Sequence, residues 1–158
     1  MPITPFHFGP GAAVYAVAPQ QVSFLAFCAA NVLIDVESLY NLVRGNAQVH
    51  AFFHTYVGAT LVALAMVGAW ALLRRVLPPR WVGGLTLKRV AVGALLGAWS
   101  HVVLDSVMHV DIQPLQPLSA DNGLFRIVSL LTLHGACVAA ALGALAVMGV
   151  RRLLARRG

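Results

Sequence analysis

The sequence has very few charged side chains and few cysteines. Only 10% of its 158 residues are charged, against about 25% in a typical soluble domain, and 59% are hydrophobic. This composition excludes a water-soluble globular domain and indicates an integral membrane protein. The two cysteines, Cys28 and Cys137, lie in apolar runs at a spacing that matches no metal knuckle, so we expect them to pack as small hydrophobic residues.

Basic residues are missing from the start of the sequence. No lysine or arginine precedes Arg44, so the charged region that begins a cleaved signal peptide is lacking, and we expect the first hydrophobic segment to be retained. The sequence shows no internal repeat and no low-complexity segment. A chain of this length has room for about four spans of roughly 20 residues each. We therefore expect one integral membrane domain over residues 1–158.

Four apolar runs are long enough to cross a bilayer. They cover about residues 21–43, 50–77, 87–110 and 124–150. A fifth apolar stretch at the N-terminus is too short to cross and contains four prolines and two glycines within MPITPFHFGPGAAVYAVAP. We expect the interior of this stretch, Gly11 to Ala18, to form a half-helix that lies in or against the bilayer. The predicted fold class is all-α, an integral membrane helical bundle of about four transmembrane helices with a short N-terminal re-entrant or interfacial segment.

The basic residues concentrate in the second connection between spans and at the C-terminal end. They are Arg74, Arg75, Arg80, Lys88 and Arg89 in the connection, and Arg151, Arg152, Arg156 and Arg157 at the end. The positive-inside rule places both segments in the cytoplasm. This predicts a multi-pass protein of the bacterial inner membrane with both termini cytoplasmic. We favour this interpretation over nucleic-acid binding, which the net charge of +6 alone would permit.

Most of the other ionisable groups fall on the opposite side of the predicted topology. All five acidic residues and four histidines lie in or next to the non-cytoplasmic halves of the spans: Asp35, Glu37, Asp105, Asp111, Asp121, His50, His54, His101 and His109. An ionisable group inside a bilayer costs a few kcal/mol by insertion scales, so each one needs a partner or a function. The lone mid-span His134 is interpreted as a hydrogen-bonded packing residue.

Two stretches have the spacing of metal ligands. In HAFFH, His50 and His54 are four residues apart, which on a helix lets two imidazoles share one ion. In HVVLDSVMH, the same spacing puts His101, Asp105 and His109 on one helical face. We expect His54, His101 and Asp105 to be metal ligands at one depth on adjacent helices. His50 and His109 are second choices, as ligands or as groups that orient the ligands.

The first span adds a carboxylate to this set. Asp35 is expected to be a further ligand or the general base, because a carboxylate beside a metal-activated water can take its proton. Nitrogen and carboxylate ligands without cysteine suit zinc best, with manganese or iron as alternatives, and several carboxylates allow one or two ions. Such a site favours hydrolysis of an ester. Arg44 and Arg126, on the same side, are expected to bind a substrate phosphate or to anchor lipid headgroups.

The predicted function is membrane-embedded, metal-dependent hydrolysis of a phosphoester or other ester. The substrate and partner would be a membrane lipid or a lipid-linked molecule. Two alternatives remain at this point. A metal or proton transporter would need polar residues that continue to the cytoplasmic side, whereas the third span reads VAVGALLGAW before His101. A non-catalytic membrane scaffold with a hydrogen-bonded His/Asp cluster would bind no metal and would tolerate conservative substitutions.

Four segments also resemble a known family. TPFHFGPG, NVLIDVE, HAFFHTYVGA and SHVVLDSVMHVD resemble the bacterial membrane-bound metal-dependent hydrolases over roughly residues 1–120. That group is distantly similar to zinc-dependent phospholipase C and the single-strand nucleases, whose zinc ligands follow the order His, Asp, His, then His-x-x-x-Asp. The resemblance implies metal ligands at His7, Asp35, His50 or His54, and His101 with Asp105.

The sequence departs from those soluble enzymes in two ways. They use a processed N-terminal residue as a ligand, whereas this chain begins with Met1, and they continue with a His-x-x-x-Glu pair, whereas His134 is followed four residues later by Val138. One or two ions are therefore expected rather than three. Simple topology also places His7 on the side opposite the other candidate ligands, unless the N-terminal half-helix re-enters the bilayer toward them.

Overall fold

The computed structural model describes residues 4–157, and it describes all side chains in that range except those of Thr4 and Pro79. The described residues form helices and no strand. The α-helices are α1 (Phe8–Val17), α2 (Phe24–Arg44), α3 (Tyr56–Val76), α4 (Pro79–Val82), α5 (Leu87–Met108) and α6 (Leu130–Ala155), and 3-10 turns cover Thr4–His7 and Phe52–His54. Helices α2, α3, α5 and α6 are long and apolar enough to span a membrane. The predicted all-α bundle of four spanning helices is confirmed.

Each spanning helix begins at a hydroxyl side chain. Ser23, Thr55, Thr86 and Ser129 precede α2, α3, α5 and α6, and each accepts a hydrogen bond from a backbone N–H in the first turn of its helix. Such caps satisfy amide groups that would otherwise lack a partner. At the other end of α2, Gly45 adopts a left-handed conformation (φ 69°), which glycine allows without steric cost.

Three of the predicted spans begin too early: the first by a few residues, at 21 against Phe24, and the second and fourth by more. The second span was expected to be helical from His50, but α3 begins at Tyr56, after the Thr55 cap. The fourth was expected from residue 124, but α6 begins at Leu130 and continues to Ala155. Apolar composition extends past the caps in both cases, so hydropathy alone placed the starts wrongly. As a result, His50 and His54 do not share a helical face, and the prediction that they do is wrong.

Helix α5 packs against both α2 and α3 and forms the centre of the bundle. The apolar core between these helices is built mainly from small and branched residues: Ala26, Ala30, Ile34, Ala59, Val62, Ala63, Val90, Ala94, Ala98 and Val102. Gly93 and Gly97 bring α5 against the backbone of α2, because a β-carbon on either would collide with the carbonyl oxygen of Ser23 or of Phe27. Small residues permit this close approach in membrane helix pairs.

The N-terminal segment forms the predicted half-helix. Helix α1 has 10 residues, about 15 Å of rise, which is too short to cross a bilayer, and it packs mainly against α6. Its C-terminal end is fixed near the start of α5 and the end of α6, where Arg89 donates to the carbonyl of Pro19 at 2.7 Å and Arg151 donates to that of Ala16. We name this the arginine end, defined by Arg75, Arg89 and Arg151. The polar end, defined by Arg44, His50 and Asp111, lies opposite.

Candidate metal centre

Four histidine and aspartate side chains converge inside the bundle near its polar end. We name Asp35, His54, His101 and Asp105 the primary group; one ligand atom from each lies within 4.8 Å of all the others. His101 Nε2 is 3.2 Å from an Asp35 oxygen and 3.3 Å from an Asp105 oxygen, and His54 Nε2 is 3.7 and 3.5 Å from the same two atoms. The structure thus brings together the ligands that the sequence predicted first.

The primary group is shielded from solvent almost completely. His54, His101 and Asp105 have no exposed surface, and the Asp35 side chain is 16% exposed. Two carboxylates and two imidazoles in such a place need compensating charge or hydrogen bonds, since an uncompensated buried charge is very costly. A buried His/Asp group of this kind can hold a metal ion.

Three different elements position the primary group. His101 and Asp105 lie one turn apart on α5, as predicted from their spacing, and Asp35 projects from α2. His54 ends the 3-10 turn before α3. That turn is fixed to α2 by Glu37, whose carboxylate accepts a hydrogen bond from the Phe53 N–H at 2.6 Å. The role of Glu37 was not predicted, because its partner is a backbone group with no sequence signature.

The outer nitrogens of the two imidazoles contact polar side chains of α2. Asn31 Oδ1 lies 3.1 Å from His101 Nδ1, and the Asn31 amide donates to the carbonyls of Phe27 and Gly97 at 2.9 and 3.3 Å. Ser38 Oγ lies 3.5 Å from His54 Nδ1. In both rings the Nε2 atom is therefore the one that faces the primary group. Metal-binding histidines are usually oriented by an outer partner in this way.

A second, overlapping group lies beside the first. We name His50, Asp105 and His109 the adjacent group; their ligand atoms also lie within 4.8 Å of one another. His109 does not continue the helical face of His101 and Asp105 as predicted, because it caps α5 in an extended conformation. Its ring instead stacks on that of His50, with the centroids 4.1 Å apart. Asp111, whose function the sequence did not indicate, pairs with His50 at 3.0 Å.

His7 joins the site from the N-terminal segment. Its Nε2 lies 3.1 Å from Asp105 Oδ1, its ring meets the edge of His101, and it is 1% exposed. Of the two arrangements left open for His7, the structure has the one in which the N-terminal half-helix returns toward the other candidate ligands. Because α1 is a half-helix that starts beside the primary group and ends at the arginine end, its first residues lie at the depth of the site.

Burial shifts the pKa values of ionisable groups just outside the spanning helices. Burial lowers the pKa of His54, and the neighbouring His101 lowers it further. Burial also lowers the pKa of His109, with a further contribution from His50. Burial alone would raise the pKa of Asp111, but hydrogen bonds from the His50 backbone and ring hold it below its ordinary value. At neutral pH these shifts favour neutral imidazoles, which is the form that binds metals, and an ionised Asp111.

A pocket of about 460 Å³ opens beside the two groups. Its polar wall contains Asp35, Ser38, His50, His109 and Asp111, and its apolar wall comes mainly from α2 through Val32, Val36, Leu39 and Leu42. Those four apolar side chains are between 46% and 60% exposed, so this face of α2 is turned outward. Asp35 is the member of the primary group that also lines the pocket.

The predicted phosphate-binding arginines lie away from this pocket lining. Arg44 is exposed at the end of α2, with its guanidinium 5.9 Å from the Tyr40 ring, and Arg126 is exposed beside Phe125. Their role stays a prediction. His134 stacks on Phe6 outside both groups, so it packs as predicted, whereas the predicted hydrogen bond of its side chain stays a prediction. Cys28 and Cys137 are free thiols.

No protein-family model, no curated protein and no solved structure matches the chain. The resemblance to the membrane-bound metal-dependent hydrolases therefore rests on the sequence motifs alone.

Proposed function

We propose that this protein is a membrane-embedded metal-dependent hydrolase of the family that its motifs resemble. Its substrate would be a phosphoester or another ester of a lipid or lipid-linked molecule. The observation that carries the proposal is the primary group itself, in which four ligand atoms of Asp35, His54, His101 and Asp105 lie within 4.8 Å of one another inside an apolar bundle.

The surroundings of Asp105 favour a metal ion over a hydrogen-bonded cluster. The neighbours of its two oxygens are the Nε2 atoms of His7, His54 and His101, at 3.1 to 3.5 Å. His54 Nε2 and His101 Nε2 are also 3.3 Å apart, so these two nitrogens can contact each other favourably only if one carries a proton. A divalent cation satisfies both nitrogens and the carboxylate at once. The donor set suits zinc best, with manganese or iron as alternatives.

The reaction class follows from the ligand set and the pocket. A divalent ion in such a site lowers the pKa of a bound water toward neutrality and polarises a phosphoryl or carbonyl oxygen. Asp35 belongs to the primary group and also lines the pocket, so its carboxylate could accept a proton from the attacking water. The buried histidines would orient the ion and exclude bulk water from it.

The shape of the pocket supports an amphiphilic substrate. One wall carries the polar groups of the site, and the other is the outward apolar face of α2, which in a membrane meets acyl chains. A lipid could therefore enter from the side, with its ester at Asp35 and its chain along Val36 and Leu39. Arg44, at the end of the same helix, is a candidate contact for a phosphate at the membrane surface.

Transport across the membrane is less well supported. Between the primary group and the arginine end, the bundle interior is filled by apolar residues such as Ala30, Ala94 and Ala98. A one-sided site agrees better with hydrolysis. We also propose that the arginine end faces the cytoplasm of a bacterial cell, so that the site opens toward the other side of the inner membrane.

The test is metal-dependent turnover by the detergent-purified protein, made without a polyhistidine tag. Phospholipid, phosphatidate, isoprenyl phosphate and carboxylic ester substrates are presented in mixed micelles, with metal-free and zinc- or manganese-loaded protein. The proposal predicts hydrolysis of at least one class by the loaded protein only, and its loss in folded His101→Ala. Asp121→Asn, at an exposed carboxylate outside the pocket, is the matched control. Equal hydrolysis by the metal-free protein, or none by any loaded form, would contradict the proposal.

A further inference from the structure

The adjacent group contains two buried imidazole nitrogens that the primary group does not use. His50 Nε2 and His109 Nε2 are both inaccessible to solvent, and neither has a hydrogen-bond partner among the described residues. His50 as a whole is 4% exposed. A buried polar atom without a partner costs about 1–3 kcal/mol, so two of them side by side indicate that something binds there.

Asp111 determines which nitrogen of His50 is available. Both Asp111 oxygens lie 3.0 Å from His50 Nδ1, and one also accepts the His50 backbone N–H at 3.1 Å. An ionised carboxylate can only accept a hydrogen bond, so Nδ1 carries the hydrogen and the neutral ring has its lone pair on Nε2. Carboxylate–histidine pairs of this kind orient metal ligands and increase their basicity.

Backbone hydrogen bonds fix His109 at the end of α5. Its N–H donates to the Asp105 carbonyl at 2.8 Å, and its carbonyl accepts from the Asn122 amide at 3.2 Å, which also donates to the carbonyl of Ser106 at 2.9 Å. Its ring stacks on His50 with an angle of 29° between the planes. The two rings are therefore held face to face, and a ligand atom of each lies within 4.8 Å of an Asp105 oxygen.

We propose that His50, His109 and Asp105 bind a second divalent cation beside the one in the primary group. The inference rests on the proposed function, because Asp105 belongs to both groups and would bridge the two ions. His50 and His109 also line the pocket, so the second ion would lie at the pocket wall. Paired ions in hydrolases hold the attacking and the leaving oxygen of a phosphoester, so this ion would favour phosphoesters over carboxylic esters.

The experiment is a count of bound ions in the folded protein. Metal-free protein without a polyhistidine tag is equilibrated with zinc over a range of free concentrations, and bound zinc per chain is measured by elemental analysis. We expect two ions for wild type and one for His109→Gln. In Asp111→Asn we expect two ions, the weaker of them bound about 10- to 100-fold less tightly, because the partner that orients His50 is altered. His134→Gln, at a histidine outside both groups, should keep two.

The possible outcomes separate this inference from the proposed function. One ion in wild type, kept in His109→Gln and lost in His101→Ala, would overturn the second site and leave the primary centre intact. Two ions in folded His109→Gln would overturn the assignment of these ligands. No bound ion in wild type would overturn both proposals.

A second measurement covers the case in which His109→Gln does not fold. Wild type is titrated with cobalt(II), and the visible absorption of the bound ion is followed. A break at two equivalents, with a change in spectrum between the first and the second, is expected. A single break at one equivalent would overturn the second site.

Discussion

Helix α5 buries one continuous stripe along its length, but the chemistry of that stripe changes half-way. Toward the arginine end the buried residues are small and apolar: Val90, Gly93, Ala94, Gly97 and Ala98. From His101 onward they include His101, Asp105 and Ser106. The first half shows that alanine and glycine suffice to pack this helix closely against α2. The ionisable residues of the second half are thus not required for packing, although each costs a few kcal/mol in a membrane.

Helix α2 changes at the same depth. Its buried residues toward the arginine end are Ala26, Phe27 and Ala30, whereas Asn31, Asp35 and Ser38 follow toward the polar end. The two helices become polar where they face each other, and there His101 of α5 contacts both Asn31 and Asp35 of α2. The polar half is therefore a separate unit that packing does not explain, and substitutions in the two halves should have different consequences.

The largest effect is expected from Asp105→Asn in the polar half. This change removes the carboxylate that contacts His7, His54 and His101, so bound metal and turnover should both fall by more than the 10- to 100-fold typical of an outer partner. The measurements are elemental analysis and kcat/KM on protein whose circular dichroism is unchanged. If Asp105→Asn binds metal and turns over substrate as wild type does, Asp105 is not a metal ligand.

Asp35→Asn should separate catalysis from metal binding. The amide keeps an oxygen toward the ion but cannot accept a proton, so we expect kcat to fall by about 10²- to 10⁴-fold while KM changes little. Metal content is measured in the same samples. Val32→Ala, one helical turn away in the lining of the same pocket, is the control for a change of shape alone. A loss of turnover that only follows a loss of metal would make Asp35 a ligand and not the base.

Asn31→Leu tests whether the outer contacts of the polar half act on the metal. The variant keeps similar volume but removes the contact with His101 Nδ1, so zinc affinity should fall by about 10- to 100-fold. Equilibrium dialysis against a zinc buffer measures this. Ser100→Ala, whose hydroxyl binds only a carbonyl of its own helix, should leave the affinity unchanged. Equal affinities in wild type and Asn31→Leu would show that Asn31 acts only in packing.

Gly97→Ala addresses the apolar half. The added methyl meets the Phe27 carbonyl, so the helices must separate, and we expect a loss of about 1–2 kcal/mol in the free energy of unfolding. Thermal unfolding in detergent compares it with Gly143→Ala on α6, where a β-carbon meets open space. The control should be neutral or slightly stabilised. Equal melting temperatures for the two variants would contradict the close packing of α5 on α2.

The smallest effect is expected from Glu37→Gln. The amide oxygen can still accept from the Phe53 N–H, but the hydrogen bond loses its charge, which is worth about 1 kcal/mol. Because this bond fixes the turn that carries His54, zinc affinity should fall about fivefold, measured by the same dialysis. Glu37→Ala should weaken it further. Unchanged affinity in Glu37→Ala would show that Thr55 and α3 hold the turn without help from α2.

Local patterns in the sequence predicted most of the bundle and part of the site. The four spans follow from hydropathy, and the pairing of His101 with Asp105 follows from helical periodicity, both of which depend only on neighbouring residues. His54 was predicted to be a ligand for the wrong reason, since it lies on a turn and not on a helix with His50. The Thr55 cap, which a start signal in the sequence could have revealed, explains that error.

Other features depend on contacts between distant segments and could not be derived from spacing. The position of His7 follows from the packing of α1 against α6, and the pairing of Asp111 with His50 joins two loops 61 residues apart. The family motif suggested His7 as a ligand, but topology alone argued against it. Only the folded arrangement shows that a half-helix can start beside the primary group and end at the opposite end of the bundle.

The most direct test of the central claim is the metal content of wild-type protein, purified in detergent without chelator and without a polyhistidine tag, then dialysed to remove loosely bound ions. At least one zinc, manganese or iron ion per chain, absent from folded Asp105→Asn, is the predicted result. The claim would be contradicted if the protein held less than a tenth of an equivalent of any divalent ion after an attempt to reload it with zinc. The polar half would then be a buried hydrogen-bonded cluster with a structural role.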